Sequence, residues 1–560
     1  MQMPSTNSIA RTRVWRCLRG GAIALLLALV PAMAVQAQDS RFVVAADGRR
    51  SFTVDGMPWL LLGMQLNNSS GTPAQLRQLQ ASIARSHCNT VMVPVSWQEL
   101  EPVAGRYDFS LVDGLVAEAR RQQVRLALLW FGTWKNGGMA YVPDWVKRDP
   151  VRYPRVIDAD GRSIDALSPL AAASRDADAR AFAALMRHLR DIDGKRRTVL
   201  MVQVENEAGT LGAERDHSAA AQALFASQVP SDMPGAAQAL FASQVPADMP
   251  GAAPGDWTAA FGARAPEAFM AYHTARYIQA VAAAGKAAYD LPLYLNVWPR
   301  EQPGLLRPGL SSPSGGAVSW LLPMWKALAP AIDVVGVDNY DTNVAPYTAI
   351  AAAYDRPDNP LFVPETGGSA AHARHMFLVL ARPFAVGVGK FGIGEDFALD
   401  AEGRETLDPV AVNFRLLRDA ARFLVPLRDA GRVQAAVEEE GIANVALAFS
   451  QLDVAVRFGE VRDGYGGPRG QGNAAPNGRV LVAEVEPERF LVTGANANLA
   501  FAAKLGARGT AQLLTVEEGH FDDGRWVRER LLNGDETYFG LRLPERGGSL
   551  MVTLMQAAHE

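Results

Sequence analysis

Short, mostly apolar runs recur eight times along this chain, and helix-like stretches separate them. The runs are Trp59–Leu66, Thr90–Val95, Val124–Trp130, Leu200–Val204, Leu293–Val297, Ile332–Val337, Leu361–Val363 and Val386–Ile393. They do not alternate apolar with polar, which is how a parallel strand buried on both faces reads. Between them, Thr72-Pro73 starts a helix, with Thr as the cap and Pro at the first helical position. Leu111, Leu115, Val116 and Ala119 share one helical face, and Phe182, Leu185, Leu189 and Ile192 share another. Asp408-Pro409 caps a last helix whose stripe is Phe414, Leu417 and Leu424. Strand–helix alternation of this length predicts a (β/α)8 TIM barrel over residues 38–433, in the α/β class.

Past Val433 the pattern changes. Ala443–Phe449, Val454–Phe458, Val480–Val485, Arg489–Val492, Leu499–Ala503 and Leu550–Leu554 are short and partly alternating. Turn signals such as Asn477-Gly478 and Asn533-Gly534 stand between some of them. Residues 434–560 are therefore expected to form an all-β sandwich. Gly464–Gly478, rich in Gly, Pro and Asn, is expected to be a mobile loop.

The first 37 residues read as a secretory signal. Arg11, Arg13, Arg16 and Arg19 form a basic start, Ala22–Val30 is a short apolar run, and Val35-Gln36-Ala37 suits signal peptidase. The apolar run is shorter than the roughly 20 residues a spanning helix needs. The expectation is a periplasmic or secreted protein without a membrane anchor after cleavage. Losing those four arginines takes the net charge from -4 to -8, which disfavours nucleic acid as a partner. Of the two cysteines, only Cys88 remains in the mature chain, where it opens an apolar run and reads as a small core residue. Ala220–Gly235 recurs almost unchanged as Ala236–Gly251, Ser231 against Ala247 being the mismatch. Two copies are too few for a solenoid. The segment 220–251 reads instead as a tandem duplication in a tolerant loop after the fourth strand.

The fourth run carries the chemistry. In Leu200–Gly209, LMVQVENEAG, an apolar strand ends in Glu205-Asn206-Glu207. The C-terminal ends of barrel strands form the active face. A carboxylate there calls for a second one opposite, and the pair suits glycosidic bond cleavage: one acid protonates the leaving oxygen, the other attacks the anomeric carbon. Glu365, at the end of the seventh strand, fills that place. Glu207 is assigned as acid/base and Glu365 as nucleophile. Asn206 is placed to hold a sugar 2-hydroxyl, and Tyr340 to donate its hydroxyl to Glu365. Gln65 lies in the last positions of the first strand, and Trp134 stands in an aromatic loop with Asn136, Gly137, Gly138, Tyr141 and Trp145. Both are substrate-binding candidates, Trp134 because aromatic rings suit the apolar face of a sugar. Glu205 would point the same way as Glu207 on a straight strand, so it is read as a substrate contact or a supporting acid. Glu395 is the rival nucleophile, and Asp338 and Asp396 read as solvated loop charges. The eight histidines show no HExxH spacing and no Ser/His/Asp order stands out. No metal or organic cofactor is called for.

These motifs resemble those of the glycoside hydrolase family 35 β-galactosidases. Gln203-Val204-Glu205-Asn206-Glu207-x-Gly209 is similar to that family's QVENEYG signature. Trp97–Pro102 followed by Gly105-x-Tyr107-Asp108-Phe109 resembles its W-x-x-HEP…G-x-YDF segment, and Trp134, Gly137-Gly138 and Pro143-x-Trp145 its EW…GG…P-x-W loop. The resemblance covers about Phe42–Val433. It implies a retaining barrel with Asn206-Glu207 on strand four and Glu365 as nucleophile on strand seven, ahead of Glu395. Ala208, Leu100 and Thr133 depart from the family's Tyr, His and Glu, so some sugar contacts differ. The tail, with Thr515–Gly519 and Leu532–Thr537, looks like the small β domain of a bacterial subgroup, which implies plant polysaccharides such as galactosylated xyloglucan as substrate. The leading expectation is a retaining exo-β-galactosidase acting on a carbohydrate. The alternatives are another retaining β-glycosidase of the clan (β-glucosidase, β-xylosidase or endo-glycanase) or a barrel that binds polysaccharide without cleaving it.

Overall fold

The computed structural model describes residues 39–230, 256–301, 307–459, 472–504 and 510–557. The proposed signal, residues 1–37, lies outside them, as do 231–251 of the duplicated segment and 464–471 of the expected mobile loop. Eight strands form one sheet: β1 (Leu61–Gln65), β2 (Thr90–Ser96), β3 (Arg125–Lys135), β4 (Val199–Asn206), β5 (Leu293–Val297), β6 (Val334–Val337), β7 (Phe362–Thr366) and β8 (Gly387–Phe391). Every pairing in it is parallel: β6–β5, β5–β4, β4–β3, β3–β2, β2–β1, β1–β8 and β8–β7. This is the expected (β/α)8 barrel.

The last side, between β6 and β7, lacks a ladder among the described residues. Pro364 explains it, because a proline in mid-strand has no N–H to give. Gly336 of β6 faces it, and a Cβ there would come within 2.7 Å of the Pro364 ring. Side chains and single backbone bonds tie the seam instead. Asn359 spans it low down, accepting from the Val335 N–H at 2.7 Å and donating to the Val335 carbonyl at 3.0 Å. At the top, the Asn339 N–H donates to the Glu365 carbonyl at 3.0 Å and the Thr366 hydroxyl to the Asn339 carbonyl at 2.7 Å.

The barrel interior is plugged by Leu61, Met92, Leu129, Leu200, Tyr294 and Phe362, all buried. The helices cover the outside. Thr72 caps the first, its side chain accepting from the Gln75 N–H at 3.1 Å. The stripe Leu115, Val116 and Ala119 is buried on helix Ser110–Gln122, and Phe182, Leu185 and Leu189 on helix Ala172–Asp193. Cys88 is a buried core residue, its thiol pushed up to about 11 by burial. The last helical stretch is two helices, Pro409–Leu417 and Ala421–Asp429, where one was expected. Asp408 caps the first of them, as its sequence suggested. No helix among the described residues is long and apolar enough to cross a membrane.

The C-terminal part forms two antiparallel sheets. The first has six strands in the order Val433–Val437, Arg479–Glu486, Arg489–Ala495, Gly548–Ala557, Thr510–Asp522 and Arg525–Leu531. The second has four, Asn444–Ala448, Leu452–Phe458, Ala497–Ala503 and Leu541–Leu543. They enclose a core that includes Val454, Phe458, Val480, Phe490, Val492 and Val552. The other face of the six-stranded sheet, with Leu481, Ala483, Leu491 and Met551, joins the barrel's own core beside Phe414 and Leu424. Its central strands are buried on both faces, which is why they read as continuous apolar runs. Arg479 sits in this joint, 1% exposed. It donates to Asn413 Oδ1 at 2.5 Å, the Pro409 carbonyl at 2.9 Å and the Asn477 carbonyl at 2.8 Å.

Candidate active site

The chemistry-bearing residues stand where the strands leave the plug. β4 is fully buried up to Asn206, and its regular twist breaks at Glu205. Glu205 has φ 64 and Glu207 φ 49, the left-handed region that side chains other than glycine enter at a cost of about 1–2 kcal/mol each. The surroundings hold this backbone in place. The Gln203 amide donates to the Glu205 carbonyl at 2.9 Å, and the Glu207 N–H donates to Asn296 Oδ1 on β5 at 3.0 Å. The Gly137 N–H donates to the Glu207 carbonyl at 3.2 Å, docking the loop after β3 onto the strand end.

The consequence is that Glu205 and Glu207 do not point the same way, which corrects the straight-strand expectation. Glu207 enters the pocket. The Trp298 indole N–H donates to its Oε1 and the Asn136 amide to its Oε2. Glu205 turns into the barrel wall, where its Oε2 accepts the Trp134 N–H at 2.7 Å beside buried Asp178.

Glu365 meets Glu207 in the pocket. Gln65 donates to Glu365 Oε1 at 2.8 Å, with the Asn206 and Asn296 amides each 3.5 Å from the same oxygen. Tyr340 donates its hydroxyl to Glu365 Oε2 at 3.1 Å, as the sequence suggested. Asp338 completes the group. It is buried, not a solvated loop charge, and accepts from Asn296 Nδ2 at 2.8 Å. Carboxylate oxygens of Glu207, Asp338 and Glu365 lie within 4.8 Å of one another. Neutral N–H and O–H donors already converge on these oxygens, an arrangement that handles protons and competes with any cation.

Burial, and next the Glu365 charge, push the Glu207 carboxyl up to about 7, with Lys135 working in the opposite sense. Burial holds the Asp338 carboxyl well above the usual range, reinforced by Glu365 and Glu207. At neutral pH the trio therefore carries protons rather than three full charges. A cavity of ≈ 340 Å³ opens beside it, lined by Trp298, Pro299, Glu301, Asp338, Tyr340 and Ile350 among others.

Four of the expected site residues thus converge with Glu207: Glu365, Asn206, Gln65 and Tyr340. Gln65 is buried and commits its amide to Glu365. Trp134 and Glu205 do not join them as substrate contacts. Trp134 belongs to the extended β3, is 1% exposed and meets the Tyr277 ring edge-on at 4.7 Å, which leaves no face for a sugar. Trp145 is likewise committed to Trp97 and Tyr153. The rival Glu395 is exposed and bonded to Gln78 on the first helix, away from the trio. Sequence reasoning missed Asn296 and Trp298, and it named Asp338 only as a solvated loop charge. Asn296 left a signal: it is a polar residue near the end of an apolar strand, as Asn206 is.

A family model described as β-galactosidase, that of glycoside hydrolase family 42, matches residues 67–232. Family 42, not family 35, is thus the one that matches. A domain of unknown function, DUF5597, matches residues 410–544. No curated protein matches the chain. Among solved structures, a β-galactosidase from the psychrophilic Marinomonas ef1 shares 11% identity at a TM-score of 0.45, covering 65% of this chain and 60% of that one. A cold-adapted β-galactosidase from Rahnella sp. R3 shares 16% identity at a TM-score of 0.41, covering 68% of this chain and 57% of its own. The chain thus spans 60% or less of the length of these two structures. The β-galactosidase family match and the paired carboxylates at the C-terminal face of a (β/α)8 barrel support a glycoside hydrolase.

Proposed function

We propose that this protein is a retaining exo-β-galactosidase. The observation that carries the reading is the approach of Glu207 and Glu365, with carboxylate oxygens within 4.8 Å. Retaining enzymes hold their carboxyl groups about 5–5.5 Å apart, and inverting ones about 6.5–9.5 Å apart to admit a water. Glu365, oriented by Gln65 and Tyr340, attacks the anomeric carbon. Glu207 passes its proton to the departing oxygen, so the glycosidic bond breaks as the glycosyl–Glu365 ester forms. Water then attacks the same carbon, Glu207 takes its proton, and Glu365 is released. Asn206, beside Glu365, binds the sugar 2-hydroxyl. The sugar is taken from the β-galactosidase family match over 67–232.

A second reading, another retaining β-glycosidase, has one specific observation in its favour: the β-galactosidase family match ends at residue 232 and leaves Trp298, Asp338, Tyr340 and Glu365 of the pocket outside it. Export to the periplasm or medium, with plant oligosaccharides such as xyloglucan fragments as substrate, belongs to the proposal on the sequence alone.

The test is hydrolysis of a panel of aryl β-glycosides by the protein from Gln38 onward, beside Glu365→Gly with added azide. Galactoside turnover that the variant loses, with azide yielding α-galactosyl azide, is the expected result. Turnover of a different sugar moves the function to the second reading. An unimpaired variant removes Glu365 from the nucleophile's role.

A further inference from the structure

We propose that Glu205 is a protonated glutamic acid sharing its hydrogen with the Asp178 carboxylate, and that this buried acid pair is the positioning device that turns Asn206 and Glu207 into the pocket. Glu205 and Asp178 are 1% and 0% exposed. Trp130 Nε1, Glu205 Oε1 and Asp178 Oδ1 crowd around Gly132, where a Cβ would lie 2.4, 2.7 and 2.9 Å from them. Only glycine admits both acids at this point.

The hydrogen bonds decide which acid holds the proton. Asp178 accepts on both oxygens: Trp130 Nε1–H donates to Oδ1 at 2.9 Å and the Thr133 hydroxyl to Oδ2 at 2.9 Å. The Thr133 proton is then committed, so the Tyr277 hydroxyl at 2.6 Å donates to Thr133 Oγ1. Glu205 Oε2 accepts the Trp134 N–H, but Oε1 receives no donor. A proton on Oε1, given to Asp178, completes every member of the network. Arg175, on the same helix as Asp178, pairs with Asp176 instead. Two charged carboxylates in so dry a place, without a cation, would cost far more than keeping one proton.

The pair acts through the backbone. Glu205 carries the left-handed φ that redirects the strand, and its side chain fastens that residue to β3 and to the helix bearing Asp178. Asn206 and Glu207 inherit their direction from it. A misplacement of 1 Å in a catalytic group costs about a hundredfold in rate.

The catalytic half of the inference rests on the proposed glycosidase reading, and the experiment separates the two. Glu205→Gln keeps a donor toward Asp178 and an acceptor for Trp134; Glu205→Leu removes both. The infrared difference between parent and Glu205→Gln, taken at pH 8, should show the loss of a protonated carboxyl C=O stretch. Glu205→Gln should stay within about threefold of the parent kcat, while Glu205→Leu falls about a hundredfold. That loss should be larger for aryl glycosides with poor leaving groups, which need the acid, than for activated ones. A purely structural role would lower both alike. An infrared spectrum unchanged by Glu205→Gln, or a Gln variant as impaired as the Leu variant, overturns the proposal. If the Leu variant does not fold, the infrared difference and the Gln variant still decide. A parent protein inactive on every glycoside sinks the glycosidase reading and leaves the infrared test standing.

Discussion

The Tyr340 hydroxyl donates to Glu365 Oε2 at 3.1 Å from the neighbouring strand end, so this carboxylate, the proposed nucleophile, is held from both sides, with Gln65 on its other oxygen at 2.8 Å. Burial, and then the charge of Glu365, push the Tyr340 hydroxyl far above its ordinary range, so it stays a donor at any working pH. A hydrogen bond to a charged acceptor contributes about 1.5–3 kcal/mol. Tyr340→Phe should lower kcat/KM by roughly 10- to 100-fold with little change in melting temperature, the ring being 44% exposed. Steady-state kinetics on an aryl galactoside, with a thermal melt alongside, checks this.

If Glu207 is the general acid, as proposed, it sets the alkaline limb of activity, since it must hold a proton and its carboxyl is pushed up to about 7. The rate should therefore fall as pH rises through about 7, and Glu207→Gln should be slow and lack that limb. Stability follows the same proton. The folded state keeps it between the ordinary carboxyl range and about 7, while the unfolded chain has released it. Stability contributed by that proton is full below the unfolded pKa and is lost as pH rises through about 7. Glu207→Gln escapes the loss, so above pH 7 it should be more stable than the parent, by at most roughly 3 kcal/mol. Urea denaturation at pH 5 and 8 reads the difference.

Asp338 should behave as a neutral acid. Burial and the two neighbouring glutamates keep its carboxyl well above the usual range. Asp338→Asn replaces a protonated carboxyl by its neutral isostere and should leave the alkaline limb within about half a pH unit of the parent. A large downward move of that limb would mean that Asp338 is charged in the parent. Asp338→Ala removes the acceptor of Asn296 Nδ2, and should cost about 1–3 kcal/mol in stability as well as activity.

Arg479 braces the β-sandwich against the barrel. Its guanidinium is buried and bonded to Asn413, Pro409 and Asn477, and burial brings it down to about 10. Arg479→Met would leave buried carbonyls without donors, at about 3–5 kcal/mol. The melting temperature should drop while the KM of the surviving folded protein stays put. A drop in sugar affinity without a change in melting would instead make this joint part of substrate binding.

Much of this was legible in the sequence because burial writes plainly. Strands closed in on both faces read as apolar runs, and all eight were found, with ends off by a few residues. β3 outran its reading because Phe131–Lys135 mixes Gly, Thr and Lys into a strand that continues to the pocket. Thr510–Asp522 and Arg525–Leu531 were missed because they are largely exposed and carry charges. In the site, strand position nominated Glu207, Glu365, Asn206 and Tyr340, which the structure brings together, and the family resemblance put Glu365 ahead of Glu395. Strand position failed on Glu205, since a left-handed residue inside a strand breaks the two-residue period on which facing arguments depend. It failed on Asp338 because burial of a single acid leaves no trace in its neighbours' spelling.

The unzipped side of the barrel has its own consequence. Elsewhere the wall's circumference is fixed by a ladder, but between β6 and β7 the upper spacing hangs on the Asn339 N–H bond to the Glu365 carbonyl and on the Thr366 hydroxyl. Tyr340 rides on one lip and Glu365 on the other. The width of the pocket mouth thus hangs on one hydroxyl: Thr366→Val would remove the Thr366–Asn339 clasp and, with it, one of the bonds that set the distance between Tyr340 and Glu365.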